Sequence, residues 1–107
     1  MTRQKPLISV ITPSYNAEEY IEKTIQSVLN QTFSDWEMII ADDCSTDGTR
    51  DILKRYEEDD DRIHAIFLKE NQGAAAARNA ALSKAEGHYV AFLDSDDVWK
   101  AEKLEKQ

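Results

Sequence analysis

Four short apolar runs alternate with amphipathic segments along the chain. Each run has five or six residues and is rich in β-branched or aromatic side chains, which predicts a β-strand. Because the runs lack a clear alternation of apolar and polar positions, they predict a parallel sheet covered by helices on both faces. The predicted strands are 7–12, which Pro13 closes, 36–41, 63–68 and 89–93.

The first amphipathic segment predicts a helix that ends near residues 30–31. Ile21, Ile25 and Val28 fall at i, i+4 and i+7, which places them on one helical face. Asn16 precedes this segment, and Glu19 lies three residues after Asn16. That spacing predicts a capping box with Asn16 as the N-cap.

Two further helices are predicted between the later strands. Ser45 or Thr46 is the expected cap of the second helix. The acidic run 57–61 is interpreted as a solvated loop, since blocks of like charge repel one another into water. Residues 71–73 form a turn into a third helix, over 74–84.

The alternation predicts an α/β fold of the doubly wound, Rossmann-like class. Right-handed crossovers favour the strand order 3-2-1-4. Ligands of such sheets bind beyond the carboxyl ends of the strands, where the strand order reverses. This order therefore brings Pro13–Asn16, Asp42–Asp43 and the acids Asp94, Asp96 and Asp97 to one crevice.

Composition narrows the function classes. The chain has 107 residues, enough for one domain, and its net charge of -8 argues against a nucleic-acid partner. Neither a signal peptide nor a membrane-spanning apolar run is visible, which predicts a cytoplasmic protein, with membrane association possible in a longer chain. The amphipathic segment 99–107 has no stop signal, so we expect the chain to be the front portion of a longer protein.

The acids after the fourth run suit a divalent cation. Asp94-Ser95-Asp96 presents two hard oxygen donors on a tight turn, as Mg²⁺ or Mn²⁺ prefers, although such spacing is common in loops. An EF-hand is excluded because Val98 and Trp99 occupy positions that require a ligand and a glycine.

Other residues near the crevice leave alternatives open. Asp42 or Asp43 either caps the next helix or accepts a hydrogen bond from a base or ribose. Arg78 either packs on the sheet with its helix or balances the charge of carboxylates or a diphosphate. The three glycines are too scattered for a dinucleotide fingerprint or a P-loop.

Six sequence blocks together resemble the N-terminal half of the family-2 glycosyltransferases, which have the glycosyltransferase-A fold. They occur in the order of that family and span nearly the whole chain. The blocks are Val10–Asn16, Ser27–Phe33, Asp42–Asp47, Asn71–Asn79, Ala85–Tyr89 and Phe92–Asp97.

The resemblance implies a site for a nucleotide-diphosphate sugar, with a UDP-sugar expected. Pro13 and Tyr15 would line the base pocket beside Asn16, Asp43 would hydrogen-bond the base, and Asp42 would lie close by. Asp94 and Asp96 would form the Asp-x-Asp motif that holds Mn²⁺ or Mg²⁺, with Asp94 contacting ribose or metal. Arg78 would sit near the nucleotide.

The resemblance also implies a reaction. A sugar would pass to a glycan or lipid-linked acceptor hydroxyl, with inversion, in polysaccharide biosynthesis. The catalytic base would lie beyond Gln107, so the chain alone is expected to be inactive. Cys44 stands where the family usually has glycine, and Ala101 where proline is common.

One other function class stays open, and a second lacks the residues that it needs. A non-catalytic nucleotide- or metal-binding module would use the same acids without transfer. A phosphoacceptor receiver domain would need acids after the first strand, and Pro13–Asn16 supplies none.

Overall fold

A computed structural model describes residues 6–95, 97–101 and 103–104. Within these residues, four strands alternate with three helices, as the apolar pattern predicts. The elements, in chain order, are β1 (Ile8–Ser14), α1 (Ile21–Leu29), β2 (Trp36–Asp42), α2 (Thr49–Asp59), β3 (Ile63–Phe67), α3 (Ala74–Leu82) and β4 (Tyr89–Phe92). None of the helices in this part of the chain is both long and apolar enough to span a bilayer.

The four strands form one parallel sheet in the order β3-β2-β1-β4, which confirms the predicted topology. β1 pairs with β2 along its whole length, from Ile8 opposite Trp36 to Ser14 opposite Asp42. Its pairing with β4 is shorter and stops where Ile11 faces Phe92. The two strands therefore separate at their carboxyl ends, which opens the switch point.

Helices cover both faces of the sheet. Val10 of β1 points toward the side covered by α1 and α2, where it joins the main core with Ile25 and Leu53. Its neighbour Ile11 points to the opposite side and packs against Ala77 of α3. This alternation is the strand period of two, and each fully buried Ile or Leu contributes about 1.5–3 kcal/mol relative to exposure.

Strand β1 runs one residue past Pro13, so the expected closure of the strand at Pro13 is wrong. Ile11 directs its carbonyl toward β4, where it accepts the Leu93 N–H at 3.0 Å. Pro13 has the same orientation two residues later and lacks an N–H. Because β4 has no residue paired beyond Phe92, no ladder hydrogen bond is lost there.

Both predicted helix caps are wrong. α1 begins after Tyr20 and α2 after Gly48, and neither N-cap makes a side-chain hydrogen bond. The Asn16 side chain instead accepts the Thr46 N–H at 2.8 Å, which joins two loops thirty residues apart. Such a long-range pair uses the residue types of a cap, but spacing along the sequence does not reveal it.

The prediction that the acidic run 57–61 is a solvated loop is also wrong in part. Its first three residues belong to the last turn of α2, which ends at Asp59. Glu57 accepts the backbone N–H of Ala65 at 2.8 Å and so satisfies a donor of the edge strand β3. Asp60 binds Arg62 through both carboxylate oxygens, so two acids of the run, Glu57 and Asp60, are structural rather than merely solvated.

Candidate active site

A cleft of about 520 Å³ opens at the carboxyl ends of the strands, where β1 and β4 separate. Loops from β1, β2 and β4 and the start of α3 form its walls. Its position is the one that the strand order predicts. The lining residues are Pro13, Ser14, Tyr15, Asn16, Ala17, Tyr20, Asp43, Asn71, Gly73, Ala74, Ala77, Asp94 and Ser95.

The loop after β1 supplies an aromatic wall. Tyr15 lines the cleft and is 49% exposed, so about half of its surface is accessible to a ligand. Asn16 has a φ of 46°, in the left-handed region that asparagine tolerates. Its N–H donates to the Ser45 hydroxyl at 2.9 Å, while its side chain holds Thr46. The polar groups of Asn16 thus fix the loop that presents Tyr15.

The two acids at the end of β2 have different environments. Asp42 is fully buried, does not line the cleft, and accepts hydrogen bonds from the Ser45 N–H at 2.9 Å and from Arg50 Nε at 3.1 Å. The Ser45 hydroxyl also donates to it. Asp42 therefore anchors the loop and lies outside the predicted crevice. Its role toward a ligand stays a prediction.

Asp43 does line the cleft and joins β2 to the start of α3. Its two carboxylate oxygens accept the backbone N–H groups of Gln72 and Gly73, each at 2.8 Å. Gly73 has a φ of 98°, which glycine adopts without steric cost, and it precedes α3 without a side-chain cap. Asp43 thus supplies the negative charge that the positive end of α3 favours.

The Asp94 carboxylate lies at the opposite wall, just beyond β4. It is exposed, and no hydrogen bond from residues 6–95, 97–101 or 103–104 reaches its oxygens. Its carbonyl accepts the Asp97 N–H at 3.1 Å, which closes a turn. Asp96, the other expected metal ligand, lies outside the described residues.

Arg78 does not line the cleft, although the sequence placed it near the nucleotide. Its guanidinium lies 5.8 Å from the centre of the Phe92 ring, beside β4. This contact fits the packing interpretation of α3, whose Ala77 and Ala81 face the sheet. Any contact of Arg78 with a nucleotide stays a prediction.

The chemistry of the described site fits a hard divalent cation. Within the described residues, there is no group of three or more Asp, Glu, His or Cys side chains that could enclose an ion. Mg²⁺ and Mn²⁺ do not need such a cage, since they bind one or two carboxylates and complete their shell with water and phosphate oxygens. The exposed Asp94 carboxylate at the cleft has the chemistry of such a ligand, and its role in metal binding stays a prediction.

Sequence reasoning missed several residues of the site. Tyr20 lines the cleft and is 51% exposed. The only sequence signal for it was its position just before an amphipathic helix. Asn71 was assigned only to a turn, yet it lines the cleft and donates to the Asp43 carbonyl at 3.3 Å. The Ser14 hydroxyl is buried there without a hydrogen-bond partner in the described structure.

The family comparison agrees with this geometry. Residues 9–107 match the model of the family described as "Glycosyl transferase family 2". The chain belongs to glycosyltransferase family 2. The resemblance drawn from the six sequence blocks is therefore confirmed.

Curated relatives in glycosyltransferase family 2 are similar over almost the entire chain. TuaG of Bacillus subtilis (strain 168), named for teichuronic acid biosynthesis, is 69% identical over all 107 residues. WfgD of Escherichia coli, named as a UDP-Glc:alpha-D-GlcNAc-diphosphoundecaprenol beta-1,3-glucosyltransferase, is 52% identical over 94% of the chain. The chain spans only 42% and 39% of the lengths of these relatives.

Solved structures show the same architecture. S. aureus TarS in complex with UDP superposes with a TM-score of 0.87 at 39% identity, over 94% of this chain and 30% of that one. The mannosyltransferase PcManGT from Pyrobaculum calidifontis, in complex with GDP-Man and Mn²⁺, gives a TM-score of 0.82 at 31% identity, over 92% and 30%. The glycosyltransferase-A fold expected from the sequence is confirmed.

Proposed function

We propose that the protein carrying this chain transfers a sugar from a metal-bound nucleotide diphosphate to an acceptor hydroxyl, and that this chain forms the donor half of the site. The observation that carries the proposal is a single cleft at the switch point of the sheet. It unites the exposed Tyr15 ring and the Asp43 carboxylate with the exposed Asp94 carboxylate. Membership in the family supports the reaction class.

The base would occupy the side of the cleft formed by β1 and β2. Tyr15 offers a ring face for stacking, and Pro13 lies beside it. Each Asp43 oxygen already accepts one N–H and retains a lone pair, so the carboxylate can also accept a base imide N–H. A UDP-sugar is the donor we favour, because TarS is solved with UDP and with UDP-GlcNAc.

The diphosphate would lie toward Asp94. No lysine or arginine lines the cleft in the described part of the chain, and the chain has a net charge of -8. A diphosphate placed there needs a cation from elsewhere, and Asp94, with Asp96, would hold Mn²⁺ or Mg²⁺ for that purpose. When bound, the metal neutralises the charge that develops on the departing diphosphate.

The remaining parts of the proposal concern the longer protein. The acceptor would be a glycan or a lipid-linked saccharide in polysaccharide biosynthesis, as the names of TuaG and WfgD suggest for those proteins. Transfer would proceed with inversion and would use a general base supplied from outside this chain. We also propose that the reaction takes place in the cytoplasm.

Calorimetric titration with UDP tests the donor site. The full-length protein should bind UDP weakly alone and more tightly with Mn²⁺, and Asp96→Ala should abolish the gain from metal. Asp97→Asn is the matched control, because the Asp97 carboxylate accepts the neighbouring Val98 N–H at 2.9 Å and should not hold metal. Identical, metal-independent binding by wild type and Asp96→Ala would contradict the metal assignment.

A donor screen of the full-length protein with Mn²⁺ tests the reaction itself. Transfer from one nucleotide sugar, lost in Asp96→Ala and kept in Asp97→Asn, is the expected result. UDP binding without transfer from any donor to any acceptor would instead indicate a non-catalytic nucleotide-binding module.

A further inference from the structure

We propose that Thr24 of α1 is a positioning residue that holds the backbone beyond β4 and so fixes the direction of the Asp94 carboxylate. The inference rests on the proposed donor site. Thr24 is fully buried and does not line the cleft.

The Thr24 hydroxyl spans two backbone carbonyls that lie more than seventy residues away in sequence. Oγ1 lies 2.9 Å from the carbonyl oxygen of Ser95 and 2.6 Å from that of Asp97. A hydroxyl has one proton, so the two acceptors share it. Both carbonyls lie in the segment where Asp97 N–H donates to the Asp94 carbonyl. The hydroxyl therefore holds both sides of this turn.

This use of a helical threonine differs from the usual one. Threonine hydroxyls within helices commonly bond to a carbonyl in the preceding turn of the same helix. Ser27, one turn further along α1, does so, with its hydroxyl donating to the Thr24 carbonyl at 2.7 Å. Thr24 instead directs its only side-chain donor away from α1 to the segment beyond β4.

The position of Asp94 depends on this contact. β4 ends at Phe92, so within the described residues no ladder hydrogen bond restrains the chain after Leu93. The Asp94 side chain makes no hydrogen bond with the rest of the described structure. Its direction is therefore set by the backbone, which the Thr24 hydroxyl holds at Ser95 and Asp97.

A second anchor, in the loop just after α1, provides a structural control. Gln31 is 7% exposed, its Nε2 donates to the Lys100 carbonyl at 2.7 Å, and its Oε1 accepts the Leu104 N–H at 3.0 Å. It holds a later part of the same segment, beyond the cleft. Loss of Gln31 should loosen that part without changing the direction of Asp94.

Three variants of the full-length protein test the inference: Thr24→Val, which keeps the shape and removes the donor, Thr24→Ser, which keeps the donor, and Gln31→Ala. UDP affinity is measured by calorimetry with and without Mn²⁺. Thr24→Val should reduce the affinity gained from Mn²⁺ about tenfold and leave the metal-free affinity unchanged, since a shared buried hydrogen bond is lost. Thr24→Ser should restore the gain. Gln31→Ala should lower the melting temperature but keep the affinity gained from Mn²⁺.

Hydrogen exchange separates this inference from the proposed function. The Asp97 amide should exchange faster in Thr24→Val than in wild type and Thr24→Ser. If the wild-type protein gains no UDP affinity from Mn²⁺, the proposed metal site is wrong. In that case, an unchanged exchange rate of the Asp97 amide in Thr24→Val would overturn the Thr24 inference as well. If wild type gains affinity and Thr24→Val gains as much, only the Thr24 inference is overturned. Should Thr24→Val not fold, Thr24→Cys, a weak donor, replaces it.

Discussion

The backbone N–H of Gly73 donates to Oδ2 of Asp43 at 2.8 Å and so ties the start of α3 to the end of β2. The other carboxylate oxygen accepts the Gln72 N–H at the same distance. Asp43 is only 3% exposed, and both of its oxygens serve the scaffold before any ligand arrives. The loop that forms one wall of the cleft therefore depends on a charged acceptor.

Asp43→Asn should lower the free energy of unfolding by about 1–3 kcal/mol, because an amide has one acceptor oxygen and its NH₂ group would face a backbone donor. Urea denaturation measures the change. Asp59→Asn, at an exposed position in the last turn of α2, is the matched control and should stay within about 0.5 kcal/mol of wild type. Equal stability of the two variants would contradict the structural role of Asp43.

Tyr15→Ala should weaken UDP binding about tenfold, because stacking of a base on an aromatic ring contributes about 1–3 kcal/mol. Tyr15→Phe keeps the ring and should bind almost as well as wild type. Tyr89→Ala serves as the control, since Tyr89 is 66% exposed on β4 and does not line the cleft. Fluorescence or calorimetric titration gives the affinities. A loss of affinity in Tyr89→Ala equal to that in Tyr15→Ala would exclude a specific role for Tyr15.

The fold followed from the sequence because its strongest signals are local. Four apolar runs identified the strands, and the right-handed crossover rule then gave the order that the sheet has. The loops were harder, since their polar residues pair across long distances. Asn16 is a residue type that is common at helix N-caps, yet its side chain accepts the Thr46 N–H instead.

The site could be predicted only in part, because some of its polar residues also pair across long distances. The switch point placed Tyr15 and Asp94 correctly at one cleft. The sequence pattern did not tell Asp42 from Asp43, although adjacent residues at a strand end face opposite sides, and only the family resemblance assigned the base contact to Asp43. Arg50, eight residues further on, binds Asp42 at 3.1 Å and keeps it buried, and no spacing rule indicates that partner.

Cys44→Gly should raise the free energy of unfolding by about 0.5 kcal/mol. Cys44 has a φ of 63°, where a side chain costs about 1–2 kcal/mol, and the greater flexibility of glycine in the unfolded chain offsets about half of this gain. Cys44→Ser keeps the Cβ atom and should show no gain. Thermal unfolding compares the two. A lower stability for Cys44→Gly than for Cys44→Ser would contradict backbone strain at this position.

Gly87→Ala should destabilise the protein by about 1–3 kcal/mol through overpacking. A Cβ atom at this position would lie 2.7 Å from the Ser9 nitrogen and 2.9 Å from the Ile8 carbonyl carbon, and backbone atoms cannot give way. The same change would disturb the Gly87 N–H, which donates to the Ser9 hydroxyl at 2.8 Å. Urea denaturation gives the difference in unfolding free energy.

Gly48→Ala is the control for this substitution. Its Cβ would meet only the Glu18 side chain, at 2.5 Å from Oε2, and that side chain can rotate away. Gly48→Ala should therefore cost less than about 1 kcal/mol. If both variants lost the same stability, close approach of the backbone at Gly87 would not be the cause.

Asp60→Asn should lower the free energy of unfolding by about 1 kcal/mol at pH 7, and this loss should disappear in acid. The hydrogen bond from the Arg62 side chain, at 2.9 Å from Nη2 to Oδ2, holds the pKa of the Asp60 carboxyl below its ordinary value. The folded state then binds this proton less readily than the unfolded state. The stabilisation is complete above the ordinary pKa of an aspartate, about 4, and is lost as the pH falls through the lowered value.

Urea denaturation of wild type and Asp60→Asn between pH 7 and pH 2 measures this dependence. Asp61→Asn is the matched control, since Asp61 is exposed and makes no hydrogen bond with the described residues. Its stability should parallel that of wild type over the whole range. The Asp60 variant should approach wild type only below about pH 4, because protonation then removes the same charge from the wild-type protein. A difference between wild type and Asp60→Asn that stayed constant down to pH 2 would show that the carboxylate charge is not what stabilises the turn at Arg62.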